Sequence, residues 1–203
     1  TTVIDNLISI ENIDGSKNDD TIIGNASKNI LKGNDGTDSL YGGINNDTLY
    51  GGAGNDYLDG GDDNDTLYAE AGDDTLSGGA GADYLDGGDS LLNGDTVSYK
   101  YLDATSNKVV VDLSQATATI YNGVNATTDI DTLINIENID GSKNDDTITG
   151  NNSDNTILGN VGKDLIYGSE GKDTIDGGSE FDSVDYSKMN QKIVLTTTSN
   201  TTT

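Results

Sequence analysis

The residues with the clearest chemical meaning are acids repeated every nine positions. From Gly33 to Asp86 the chain reads GNDGTDSLY, GGINNDTLY, GGAGNDYLD, GGDDNDTLY, AEAGDDTLS, GGAGADYLD. The sixth place is always Asp (Asp38, Asp47, Asp56, Asp65, Asp74, Asp83) and the eighth always Leu (Leu40, Leu49, Leu58, Leu67, Leu76, Leu85). Ionised carboxylates stacked at strand spacing repel by on the order of 1 kcal/mol per pair in water, and by more where partly desolvated. A hard divalent cation between them turns that repulsion into attraction. Calcium suits a shell of carboxylate and carbonyl oxygens, whereas magnesium demands a stricter octahedron and sheds water reluctantly. Binding and folding then become one event.

Positioning such acids requires a chain that winds. The first six places of each unit hold Gly, Asn, Asp and small residues, the set that tolerates positive φ and tight turning. The last three, such as TLY or YLD, place one inward apolar residue in a short strand. A turn and a strand every nine residues predict two units per coil of eighteen, with parallel strands stacked about 4.8 Å apart. Asp38, Asp56 and Asp74 then form one column, and Asp47, Asp65 and Asp83 the other. A merely solvated acidic face has no reason to hold this phase. The Leu column reads as core.

The repeated unit GGxGxDxUx resembles the calcium-binding nonapeptide of the RTX family of secreted bacterial proteins. That resemblance implies an all-β fold of parallel β-rolls with one calcium ion between stacked turns. The lower turn would give the carbonyls of places two and four and the acid of place six. The upper turn would give the carbonyls of places one and three and its own acid. On this pattern Asn34, Gly36 and Asp38 face Gly51, Ala53 and Asp56, while Gly43, Asn45 and Asp47 face Gly60, Asp62 and Asp65. Gly52, Gly54 and Asp56 face Ala69, Ala71 and Asp74. Gly61, Asp63 and Asp65 face Gly78, Ala80 and Asp83. Ala69 and Glu70 depart from the Gly pair, and Asn45 and Asp63 stand where a fourth-place Gly is usual. Asn and Asp tolerate positive φ, so these turns are expected to survive, with Glu70 the least comfortable.

Outside this block the pattern continues less regularly. Residues 1–14 read as lead-in strands, with Val3, Leu7, Ile8, Ile10 and Ile13 as apolar positions. A first roll is expected over 15–97, opening with GSKNDDTII and GNASKNILK. There Ser16, Asn18 and Asp20 would face Gly33, Asp35 and Asp38, and the site pairing Asn29 with Asp47 should be weak or empty. Ser90 to Asn93 read as a bulge, leaving Asp89 or Asp95 to share an ion with Asp74. Residues 98–140 lose the repeat and predict a β-rich segment that caps the first roll or bridges to the second, with a turn at Asn122-Gly123.

A longer repeat then emerges. Ile130 to Asn151 copies Ile4 to Asn25 with three differences in 22 positions. A second roll is expected over 141–184. In it Ser142, Asn144 and Asp146 would face Gly159, Val161 and Asp164, and Asn160, Gly162 and Asp164 would face Gly177, Ser179 and Asp182. Asn155 with Asp173 should make a weaker site. Residues 185–203 read as a final strand and a frayed Thr-rich tail, echoing the stretch after the first roll. The chain reads as a piece of a longer tandem array.

Composition excludes several functions. The 203 residues carry 36 acids against 10 bases, a net charge of −26, with no basic stripe for a phosphate backbone. No apolar run reaches the roughly 18 residues of a membrane span. With no His and no Cys, the usual zinc, thiol and triad chemistries are unavailable to this segment, and no catalytic residue is assigned. The expected partners are calcium, in roughly five to eight ions, and other copies of the chain or a cell-surface polysaccharide. No cleavable signal peptide opens the chain. The family resemblance implies type I export with an uncleaved signal, and hence an extracellular or cell-surface place. It also leaves two parents open. One is a surface-layer protein or adhesin; the other is an exoenzyme (metalloprotease, lipase or alginate epimerase) whose catalytic domain lies elsewhere.

Overall fold

The computed structural model describes residues 8–102, 108–122 and 127–196. The turn expected at Asn122-Gly123, the first lead-in positions including Val3 and Leu7, and the end of the Thr-rich tail lie outside the described residues. Every regular element described is a β-strand, and among the described residues no helix is long and apolar enough to cross a membrane.

The nine-residue phase is written directly into the strands. They are β1 (Asn12–Asp14), β2 (Thr21–Ile23), β3 (Ile30–Asp35), β4 (Ser39–Ile44), β5 (Thr48–Ala53), β6 (Tyr57–Asp62), β7 (Thr66–Gly72), β8 (Thr75–Ala80) and β9 (Tyr84–Asp86). Odd-numbered strands pair in one sheet and even-numbered strands in the other, all parallel. The register puts eighth-place residues opposite one another: Leu31 against Leu49, Leu49 against Leu67, and Leu67 against Leu85. Each of these leucines is fully buried, contributing about 2–3 kcal/mol of apolar burial. The ninth-place side chains pack outside, where the Tyr50 and Tyr68 rings stack at 5.2 Å beneath Lys32.

After β9 a two-residue strand, β10 (Asp89–Ser90), pairs with β7, and the loop beyond it exposes Leu91 and Leu92. β11 (Thr96–Ser98) rejoins the even sheet on β8. The chain then departs from simple winding. β12 (Lys108–Asp112), β13 (Thr117–Asn122) and β14 (Thr127–Ile134) form an antiparallel meander inside the odd sheet. Its last strand docks first: β14 pairs with β9, with Leu133 opposite Leu85.

The second block contributes β15 (Asn138–Asp140), β16 (Thr147–Thr149), β17 (Thr156–Leu158), β18 (Leu165–Tyr167), β19 (Thr174–Asp176) and β20 (Ser183–Asp185). β15 lies on β11, while β12 pairs with β16, Val111 opposite Ile148. Residues 98–140 therefore bridge the two blocks of repeats, which share both sheets and one apolar core. The result is a single continuous parallel solenoid. The physical cause lies at β11, whose two edges are occupied by β8 and β15, leaving no exposed edge between the blocks.

Candidate metal centres

The turns between strands carry the acids, and a backbone ladder fixes each of them. The amide of each sixth-place residue donates to the carboxylate one coil further on. Asp20 donates to Asp38 Oδ1 at 2.7 Å, Asp38 to Asp56 at 2.8 Å, and Asp56 to Asp74 at 2.7 Å. In the other column Asn29 donates to Asp47 at 2.7 Å, Asp47 to Asp65 at 2.7 Å, and Asp65 to Asp83 at 2.8 Å. The second block repeats this from Asp146 to Asp164 at 2.9 Å and from Asp164 to Asp182 at 3.0 Å.

That ladder uses one carboxylate oxygen and leaves the other. Oδ2 of Asp38, Asp47, Asp56, Asp65, Asp74, Asp83, Asp95 and Asp164 is buried without a protein partner. An unpaired buried carboxylate oxygen is costly, so each marks a place for a donor or a cation. Main-chain carbonyls point to the same places. A Cβ on Gly51 would meet Asp56 Oδ2 at 2.5 Å and the Ala69 carbonyl at 2.7 Å. One on Gly42 would meet Asp47 Oδ2 and the Gly60 carbonyl, both at 2.5 Å. Gly33, Gly60 and Gly159 face the same combination, with the carbonyls of Gly51, Gly78 and Gly177. Among the described residues no three acidic side chains converge on one point. A cation here would need these main-chain carbonyls to complete its shell, a hard all-oxygen set of the calcium type.

The second place of each turn decides which carboxylates stay unpaired. Asn34 (φ 83°), Gly52 (φ 118°), Glu70 (φ 78°) and Asn160 (φ 76°) hold left-handed backbone there, as do Gly43, Gly61, Gly79 and Gly88. All eight precede an orphaned Oδ2. Where Ser stands instead, the turn closes on the acid. Ser16 N–H donates to Asp20 Oδ2 at 2.6 Å, Ser142 N–H to Asp146 Oδ2 at 2.7 Å, and the Ser169 hydroxyl to Asp173 Oδ2 at 2.8 Å. Asn18 and Asn144 donate their amides to the hydroxyls of Ser16 and Ser142. The neutral positions are likewise satisfied: Asn29 Oδ1 accepts from Asn25 N–H, and Asn155 Oδ1 from Asn151 N–H.

The remaining sequence-named positions fall around these turns. Asn45 and Asp63 hold fourth-place φ values of 74° and 75°, so both turns are kept, as is that of Glu70. The carbonyls of Ala53 and Ala71 accept from the amides of Gly36 and Gly54 at 2.9 and 2.8 Å. Asp35 lies 4.0 Å from Lys17 on the surface. Asp62 pairs with Ala80 across β6 and β8, and Val161 bridges Ser179 in the second block. Of Asp89 and Asp95, it is Asp95 that continues the amide ladder: it accepts Asp74 N–H at 2.8 Å and is fully buried.

Three residues of this network escaped the repeat pattern. Asp131 on β14 continues the second column: its Oδ1 accepts Asp83 N–H at 3.1 Å, and its Oδ2 accepts the buried Tyr99 hydroxyl at 2.9 Å. Glu137 accepts Asp95 N–H at 2.9 Å and so ends the first column. The only signal for Asp131 and Glu137 was their presence in the copied segment. Tyr99 had none.

The electrostatics match the burial. The carboxyls of Asp56, Asp83 and Asp95 are pushed up to about 6, those of Asp74, Asp131 and Asp164 to about 7, and that of Asp65 to about 8. Burial is the largest cause, the amide ladder opposes it, and nearby acids reinforce it.

The family model described as the RTX calcium-binding nonapeptide repeat matches residues 9–40, 32–67, 41–76, 59–90, 135–166 and 149–184. These matches span well over half of the chain. The chain belongs to the RTX family. The comparison with individual curated proteins found no match. RTX repeats bind calcium, and the RTX solenoid is a structural calcium-binding module, not a catalytic fold.

Proposed function

We propose that this RTX solenoid is a structural module of a bacterial surface-layer protein or adhesin that orders on calcium outside the cell, after type I export. The observation that carries the reading is the row of buried, unpartnered Oδ2 atoms that share the space beside the first-place glycines with main-chain carbonyls. The residue pairs that would hold ions are Asp38 with Asp56, Asp56 with Asp74, Asp74 with Asp95, Asp47 with Asp65, Asp65 with Asp83, and Asp164 with Asp182. Between each pair the carbonyls of places one to four complete the shell. Calcium supplies the positive charge that these carboxylates lack. The chain's own parts do the rest: second-place left-handed residues hold the carboxylate open, first-place glycines keep the cradle clear, and the amide ladder fixes each side chain.

Without that charge, the acids oppose stacking, and a chain of net charge −26 repels itself. This suits a polypeptide that crosses an exporter extended where calcium is scarce. RTX-repeat proteins are typically secreted by type I systems, and the near-identical tandem segments favour a lattice-forming or adhesive parent. The test is a circular-dichroism titration of the purified chain from excess EGTA into calcium. A cooperative gain of β signal with calcium, and not with equimolar magnesium, is expected. Full order in EGTA would overturn the reading.

A further inference from the structure

Each orphaned Oδ2 belongs to the lower acid of its pair. Beside Gly33, Gly42, Gly51, Gly60 and Gly159 it shares space with a main-chain carbonyl of the next coil. The six proposed ion pairs use the orphans of Asp38, Asp47, Asp56, Asp65, Asp74 and Asp164 in this way. Asp83 and Asp95 are left over, and both face the bridge between the blocks. These two differ. A Cβ on Gly78 would first meet atoms of Asp83 itself, and the Tyr99 hydroxyl already takes Oδ2 of Asp131, the next acid in that column. A Cβ on Gly87 would instead meet the Asn135 carbonyl and, at 2.6 Å, Asp95 Oδ2. That is the arrangement of the repeat cradles, at a place the repeat does not reach.

Residues far apart in the chain build this cradle. Gly87 and Asp95 belong to the end of the first block, whereas Asn135 (φ 51°) forms the corner between β14 and β15. Glu137 holds the seat of a sixth-place acid, because it directly precedes Asn138, which lies opposite Thr96. The two coils are tied there in both directions. Asp95 N–H donates to Glu137 Oε2 at 2.9 Å, and Glu137 N–H donates to Asp95 O at 3.0 Å. Two asparagines hold the corner: Asn135 Nδ2 donates to Asp86 Oδ1 at 2.9 Å, and Asn138 Nδ2 to the Asn93 carbonyl at 2.8 Å. Asp95 is fully buried. Burial, and among neighbouring charges chiefly Glu137, push its carboxyl up to about 6. On the other side of Glu137 the column continues with neutral Asn155, whose Nδ2 donates to Glu137 O at 2.7 Å. Within the column, Asp95 is therefore the acid with which Glu137 can share an ion.

We infer that the bridge holds a metal site of its own, in which Asp95 Oδ2, the Asn135 carbonyl and the Glu137 carboxylate bind a divalent cation of the calcium type. The site stands outside the nonapeptide pattern: its second acid is a Glu, and no repeat turn precedes that acid. Two carboxylates and a carbonyl form a hard oxygen set, and water completes the shell. A cation there turns the repulsion between Asp95 and Glu137 into attraction. Its place also gives it a separate task. Each of the six repeat pairs joins coils within one block, whereas this site ties the last coil of the first block to the first coil of the second.

The inference rests on the calcium-ordered solenoid, so the experiment reads order and ion count separately. Circular dichroism follows order, and native mass spectrometry counts bound ions on the same samples in saturating calcium. Glu137→Gln keeps an oxygen that can accept Asp95 N–H but removes the charge. It is expected to order with calcium and to carry one ion fewer than the wild-type chain. Glu137→Asp keeps the charge, in the side chain that the repeat turns use, and is expected to carry the wild-type number. Gly87 has an ordinary φ, so alanine fits its backbone while the added methyl fills the cradle. Gly87→Ala is likewise expected to lose one ion. An ordered Glu137→Gln chain with the full number overturns the bridge site alone. A wild-type chain that orders without binding calcium overturns the calcium reading and the bridge site with it. Should Glu137→Gln fail to order, Gly87→Ala decides by the same count, and a full number there overturns the site.

Discussion

The amide of Asp56 donates to Asp74 Oδ1 at 2.7 Å across one full coil, while Oδ2 of both residues is buried without a partner. One oxygen sets the orientation and the other is left for a ligand. Because Asp56 also accepts from Asp38, it belongs to two successive inter-turn pairs.

Asp56→Ala should therefore weaken two sites at once. The calcium midpoint of folding is expected to rise by about tenfold, equivalent to about 1.4 kcal/mol. Asn29→Ala should move it far less, because the Asn29 amide is already satisfied by Asn25 N–H and the Glu11 carbonyl. Equal midpoints for the two variants in parallel dichroism titrations would refute the assignment of Oδ2 as a ligand.

The raised carboxyls set the pH dependence of the metal-free chain. A carboxyl whose folded pKa lies above its ordinary value of 3.8 stabilises the coil fully below that value. The contribution is lost as pH rises through the folded value, here from about 6 at Asp56 to about 8 at Asp65. In EGTA, β signal should thus be greater near pH 5 than near pH 8. With calcium added near pH 7, binding should release protons, because ligands must be deprotonated; a pH-stat measures them directly. More order at high pH in chelator would contradict the burial of these acids.

The repeat made most of this architecture legible. From Gly33 to Asp86, Leu in every eighth place and Asp in every sixth dictate strand, turn, face and column, because a period of nine leaves no other packing for one apolar residue per unit. The bridge was not legible in the same way. Nothing local in Lys108–Asp112 states that it lies beside β16 rather than β9, since order along a sheet is a long-range property. Asp131 was hidden because no nine-residue unit surrounds it. The Ser substitutions were visible but their effect was not. A second-place Ser16 or Ser142 without left-handed backbone turns its amide onto the acid, a distinction of φ that residue counting does not reveal.

The first-place glycines permit a sharper test of the cradle. Gly51 has an ordinary φ, so alanine fits its backbone, yet the added methyl would lie 2.5 Å from Asp56 Oδ2 and 2.7 Å from the Ala69 carbonyl. Gly51→Ala should lower the calcium stoichiometry by the ion at that cradle while the other turns stay ordered, as isothermal titration reads. Gly52→Ala changes a residue at φ 118° whose Cβ would strike the Asn34 carbonyl. It should cost stability even in saturating calcium. If Gly51→Ala binds calcium like the wild-type chain, the cradle is misplaced.

Asp131 offers the contrast that separates a metal ligand from a hydrogen-bonded acid. Its Oδ2 already accepts the Tyr99 hydroxyl at 2.9 Å, and both side chains are buried. Tyr99→Phe leaves that oxygen unpaired and should lower stability in saturating calcium by about 1–3 kcal/mol, read from the urea midpoint. Asp131→Asn should cost less, since its carbonyl can still accept Asp83 N–H and its amide can donate to the tyrosine oxygen. The calcium midpoint of Asp131→Asn should stay near that of the wild-type chain, unlike that of Asp56→Ala. A large rise for Asp131→Asn, with Tyr99→Phe silent in urea, would mean that the column of ions runs through the bridge instead of ending at the Tyr99 hydroxyl.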